Sequence, residues 1–232
     1  MDMEKGVSLI NMENSIKGLL IKDWKLISSQ RQFGVMVILF YLFFTMTQQA
    51  SFAIGYCTVM LAFFTLTTLS YDELDNGAVY LFTMPIVRKD YVREKYLFAF
   101  LVITIPWAAM NVISYTICVI RAEDLELAGY LAGSVATLFV AYFMVAIEMP
   151  IQLKYGAEKS RLVIMVTIGV TFILAYILYR IGPDMLSNIA QTLDDLSESG
   201  IGAFFAIPAV CIIAVIVISY FISKHIVEYR EF

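Results

Sequence analysis

The sequence predicts an all-α, polytopic membrane protein with six transmembrane helices. Two observations carry this. Of 232 residues, 60% are hydrophobic and only 16% charged, with a mean hydropathy of +0.79, which is too apolar for an ordinary soluble domain. The charges are also grouped, leaving long uncharged stretches of the ~20 residues a membrane-crossing helix needs. These stretches are continuously apolar rather than alternating, which excludes barrel strands.

The elements follow in order. No charge occurs between Gln32 and Tyr71, room for two crossings of a core ~30 Å thick at ~1.5 Å per residue. The polar patch Thr47–Ser51 divides them into spans at about 33–47 and 52–70. Further spans are expected at about 96–120, 127–148, 162–180 and 200–223. Pro106 falls inside the third and Pro208 inside the sixth, where neighbouring helices can satisfy freed carbonyls. Before the first span, Ile16, Leu19, Leu20, Trp24, Leu26 and Ile27 share one helical face, opposite Lys17, Lys22, Lys25, Ser28 and Ser29. Ile21 and Asp23 break this pattern. The segment 15–30 reads as a helix lying in the membrane interface or as a basic juxtamembrane flank. The whole of 1–232 reads as one transmembrane domain, and no cleavable leader is expected before the first span.

Fourteen of the sixteen Lys and Arg residues flank the same side, in the N-terminal segment, loops two and four and the C-terminal tail. Only Arg121 and Arg180 lie on the other. The asymmetry predicts both termini in the cytoplasm. The fifth loop, 181–198, is acidic and outward, either a cap over a pathway or a solvated surface.

Several functions are disfavoured. A net charge of −4 gives no footing for nucleic acid. Cys57, Cys118 and Cys211 sit in apolar runs as packing residues, so no disulfide framework is expected. There is no H-E-x-x-H, C-x-x-C or phosphate-binding G-x-x-x-x-G-K-[ST]. The one histidine, His225, reads as interfacial. No ionisable residue falls in the middle of a span, which argues against a proton-driven carrier. Glu148, nearest to one, is expected to reach water at the cytoplasmic boundary. No cofactor or metal site is expected. Gly129 and Gly133 form a G-x-x-x-G that permits close helix packing.

The second and fourth loops are the most informative. An acidic cluster, Asp72, Glu73 and Asp75, leads through Tyr80 and Leu81 to Met84, Pro85, Arg88, Val92 and Lys95. After the fourth span come Pro150, Lys154, Tyr155, Gly156, Lys159 and Arg161. Gly156 is placed to end a helix. These patterns, with the six-span layout, resemble permease subunits of ABC transporters of the type-2 exporter class. The narrower likeness is to bacterial phenol-soluble-modulin (peptide toxin) exporter permeases.

The resemblance implies a permease in the bacterial cell membrane, exporting amphipathic peptides or hydrophobic molecules. ATP would be bound by a separate cytoplasmic ATPase dimer. Short helices at about Tyr71–Leu81 and Pro150–Glu158 would couple to it, with Tyr71, Asp72, Glu73, Asp75, Tyr80, Leu81, Pro85 and Arg88 in one element. Pro150, Lys154, Tyr155, Gly156 and Lys159 would form the other. Glu73 and Asp75 would meet basic groups of the ATPase. A second permease copy or a paralogue would complete the path. The alternatives are a stand-alone carrier or channel, which wants strongly polar mid-span residues, and a membrane-embedded enzyme, which wants convergent polar residues at one depth.

Overall fold

A computed structural model describes residues 2–47, 49–73, 83, 87–121, 127–156 and 201–229, with isolated positions between 162 and 180. Six helices carry the described fold: α1 (Asp2–Ser29), α2 (Arg31–Met46), α3 (Ala50–Glu73), α4 (Arg88–Ile120), α5 (Leu127–Tyr155) and α6 (Ile201–Tyr229). No strand occurs among the described residues.

Four of these helices, α3 to α6, are long and apolar enough to cross a membrane. α2 has 16 residues, about 24 Å at ~1.5 Å per residue, slightly short for a straight crossing. It joins the Ser15–Ser29 part of α1 at a 69° bend, and the pair taken together gives a fifth span. The six-span expectation is therefore met for four to five. Its fifth member, 162–180, falls mostly outside the described residues, as does the outward loop 181–198. The helices also overrun the expected spans: α3 continues to Glu73, α4 begins at Arg88 and α5 runs on to Tyr155. Polar first and last turns project beyond the apolar stretch, and apolar length marks only the part in hydrocarbon.

Pro106 and Pro150 both lie inside helices that continue through them. The separate short helix expected from Pro150 is instead, as far as Tyr155, the end of α5. A buried Pro150 with packed neighbours does not break the helix. What ends it is Gly156, at φ 83°, whose N–H donates to the Gln152 carbonyl at 2.9 Å. A residue with a Cβ adopts that left-handed conformation at a cost.

α5 is the centre of the bundle, packed against α6 on one side and α3 on the other. One apolar cluster joins α3 to α6 through residues such as Leu66, Ile103, Val145 and Ile212. A second joins α2 to α5 through Tyr41, Ile54, Met110 and Tyr130. Lipid gives little hydrophobic drive between helices, so close packing and hydrogen bonds hold such bundles. The Tyr41 hydroxyl bonds the Met110 carbonyl and Ser114, each at 2.7 Å. Tyr96 on α4 reaches Ser219 and Ser223 on α6 at 2.5 and 2.8 Å. The Trp107 indole donates to the Ser134 carbonyl on α5 at 3.1 Å. Large apolar side chains such as Met36, Leu39 and Phe43 of α2 stay exposed, a surface suited to lipid.

Among the described glycines, Gly55 of α3 makes a closer helix approach than Gly133 of the G-x-x-x-G. A Cβ on Gly55 would lie 2.9 Å from Cγ2 of Thr137 on α5, whereas one on Gly133 meets nothing within 4 Å. Gly55→Val is expected to lower stability by about 1–3 kcal/mol through overpacking, read as a lower melting temperature in detergent. Gly133→Ala should leave it unchanged, and Thr137→Ala should recover part of the loss in Gly55→Ala.

Candidate functional site: a buried ionic knot at one end of the bundle

The ends of α1, α3, α4, α5 and α6 meet at one end of the molecule. At its centre is Lys95 of α4, 1% exposed. Its ammonium contacts Asp23 of α1, Asp72 of α3 at 2.7 Å, and the Thr68 hydroxyl at 3.4 Å. Lys22 of α1 joins Asp72 at 2.5 Å and Asp23 at 3.2 Å. The Tyr91 hydroxyl donates to Asp72 at 3.1 Å. Two lysines and two aspartates thus bind three helices into one unit. Glu94, fully buried beside Lys95 in sequence, has no hydrogen-bond partner for either carboxylate oxygen among the described residues.

The local sequence explains this placement. Asp23 lies four residues from Leu19, seven from Ile16 and four from Ile27, so it falls on the apolar face of α1 that packs on the bundle. Leu19 and Asp23 are buried there, while Ile21 and Trp24 are 67% and 64% exposed. A carboxylate on a buried face needs a counter-charge, because an unpaired one costs far more than a paired one. Lys95 supplies it from the start of the uncharged run of α4.

Around the knot the other ends are tied by neutral and charge-assisted bonds. Gln152 of α5 donates to Ser70 of α3 at 2.7 Å. Gln30 donates to the Tyr71 hydroxyl at 2.6 Å. Arg88 donates to the carbonyls of Val227 and Glu228 on α6 at 3.3 and 3.0 Å, and Lys89 pairs with Glu228 at 3.4 Å. At the opposite end, Arg121 reaches the carbonyls of Thr45 and Met46.

The residues singled out in sequence divide into three groups. Tyr71, Asp72 and Arg88 stand at this end, but Asp72 faces inward and holds Lys22 and Lys95. Lys154, Tyr155 and Gly156 close α5, with the Lys154 ammonium 5.1 Å from the Tyr155 ring centre and both side chains exposed. Pro150 is buried within α5. Glu73 closes α3, while Asp75, Tyr80, Leu81, Pro85 and Lys159 lie outside the described residues.

Glu148 does not reach water as expected: it is 1% exposed. Sequence position gives depth along α5 but not direction, and this side chain turns inward, on a helix packed between α3 and α6. Asp23 and Glu94 were not recognised as site residues. For Asp23 the signal was present, a lone charge on an otherwise apolar helical face. Among the described residues no group of carboxylates, histidines and cysteines is arranged to hold a metal ion.

Removing Lys95 alone leaves the buried Asp23 with only the part-exposed Lys22 ammonium as counter-charge. Lys95→Met is expected to cost about 3–5 kcal/mol, read as a lower melting temperature in detergent. The double variant Asp23→Leu with Lys95→Met should lose less than Lys95→Met alone, because no poorly compensated carboxylate remains at position 23. Additive losses would contradict the pairing.

Apolar helices gathered around an ionic knot at one end are a transmembrane architecture, and among the described residues the ion pairs lie at that end. The sequence model of the ABC-2 family transporter proteins matches residues 18–228. No curated protein and no solved structure matches the chain. The match takes in every described helix except the first part of α1 and the last residue of α6, and on it the chain belongs to the ABC-2 family of transporter proteins, as a multi-pass membrane permease component of an ABC exporter.

Proposed function

We propose that this permease exports amphipathic peptides or hydrophobic molecules along a path between two permease subunits, driven by a separate cytoplasmic ATPase dimer that grips the end carrying the ionic knot. The observation behind this reading is the gathering of the ends of α3, α4 and α5 there. The two loop motifs that resemble exporter coupling elements begin or end at these same helices. By sequence, fourteen of sixteen basic residues are assigned to the flanks of the side to which these helix ends belong, and that charge asymmetry supports reading it as cytoplasmic together with both termini.

In this reading 162–180 supplies the sixth crossing, and the Ser15–Ser29 part of α1, turned 69° from α2, lies in the membrane interface. Glu73, Asp75, Tyr80, Leu81 and Pro85 form one contact with the ATPase, and Lys154, Tyr155, Gly156 and Lys159 the other. Asp72 works indirectly. It passes force from the acidic loop into α1 and α4 through Lys22 and Lys95. The residues of those two ATPase contacts carry the external contact, where charge complementarity selects the partner more than it adds affinity. The second subunit is either another copy or a paralogue. The substrate class follows from the narrower likeness to peptide-toxin exporters and from the scarcity of charge in the spans. A lipid-like or peptide amphipath suits such a path.

Charge reversal by Glu73→Lys with Asp75→Lys should strip the ATPase from the permease on co-purification while leaving the melting temperature in place. Retained ATPase would remove these residues from the contact. In vesicles holding the assembled complex, amphipathic helical peptides should raise ATP hydrolysis, and scrambled hydrophilic controls should not. A flat response to all peptides contradicts peptide export.

A further inference from the structure

We propose that the cleft between α2 and α4 seats one acyl chain of an anionic membrane phospholipid, with its phosphate at Arg31. The cleft is about 950 Å³, at the upper end of the ~300–1,000 Å³ common for small-molecule sites. α2 leans on α3 and leaves its other flank apart from α4. Gly34 and Ile38 of α2 form one wall, Ile105 and Ala109 of α4 the other, and Leu61 and Phe64 of α3 the floor. Phe33 stacks on Phe64 with ring centres 4.2 Å apart, fixing that floor. The space exists because small residues face it. A Cβ on Gly34 would meet nothing within 4 Å.

The polarity of the cleft fits a lipid. Tyr41 lines it, but its hydroxyl is engaged with Met110 and Ser114. The remaining polar lining, Ser28, Gln30 and Arg31, sits at one mouth, where α1 bends away from α2. Gln30 is engaged with Tyr71, which leaves Arg31 as the charge at that mouth. Trp24 and Ile21 flank it and are exposed, as expected for side chains at the headgroup level. A cation at a membrane-surface mouth above an apolar slot complements an anionic head on a hydrocarbon tail, and basic pockets between membrane helices recognise such heads.

The seat does not depend on the export substrate or on the ATPase, and its test needs neither. The purified permease, carried in mild detergent, is given phosphatidylglycerol or phosphatidylcholine, and retained lipid is read by native mass spectrometry. Phosphatidylglycerol should be retained preferentially by the native chain. Arg31→Gln should cut that preference about tenfold, the worth of one charge-assisted bond. Gly34→Phe and Ala109→Phe, filling the cleft from opposite walls, should each abolish retention at an unchanged melting temperature. Equal retention of both lipids by the native chain, or native-level retention by either folded Phe variant, overturns the proposal.

Discussion

An ammonium group taken out of water at the edge of a membrane has to be neutralised by its own chain, and Lys95 is the residue where this constraint is sharpest. It is met by carboxylates from two other helices, Asp23 and Asp72. Because neither carboxylate is adjacent to Lys95 in sequence, the pairing fixes where α1 and α3 must lie. Apolar packing in lipid is permissive, since one hydrocarbon surface resembles another. A buried charge is not, because stranding it costs several kcal/mol. The knot therefore supplies the specificity that the apolar core of the bundle lacks, and it does so at the end where the helices emerge.

In the proposed reading, in which the ATPase grips this end, that placement gives the knot a mechanical meaning. Work arrives from outside the membrane domain and has to reach helices inside it. A loop attached to one helix end moves only that end unless neighbouring ends are tied to it. Here the end of α3 is bound to α1 and α4 by ionic contacts and to α5 by the Gln152–Ser70 bond. α4 is in turn bound to α6 through Arg88. Displacing the loop after α3 would carry the group rather than a single helix. Glu94 sits in the same packing, buried without a hydrogen-bond partner among the described residues.

Much of this was legible from sequence because hydrocarbon enforces a simple rule, and uncharged runs located α2 to α6. Gly156 was legible as a helix stop, since a glycine there allows the left-handed turn, but of a separate short helix rather than of α5. Other features depend on direction rather than depth. Glu148 stands at the edge of a span, where sequence suggests water, yet it points into the bundle. Pro150 looks like a helix start but lies within α5. Gly55, in no motif, makes a closer approach than Gly133 in its G-x-x-x-G. Asp23 looked like a flaw in an amphipathic pattern, and its meaning appears only once Lys95, far along the chain, is placed against it. Periodicity within one helix cannot report a partner on another.

The central claim is that the knot makes α1 and α4 move as one body. It is tested most directly by the distance between spin labels at Lys25→Cys on α1 and Arg93→Cys on α4, measured by pulsed electron resonance in the permease bound to its ATPase. With Lys95 intact, the distribution should be narrow and should keep the same mean in the nucleotide-free and ATP-bound complexes, and Lys95→Met should broaden it. A mean that shifts on ATP binding while Lys95 remains in place would contradict the claim.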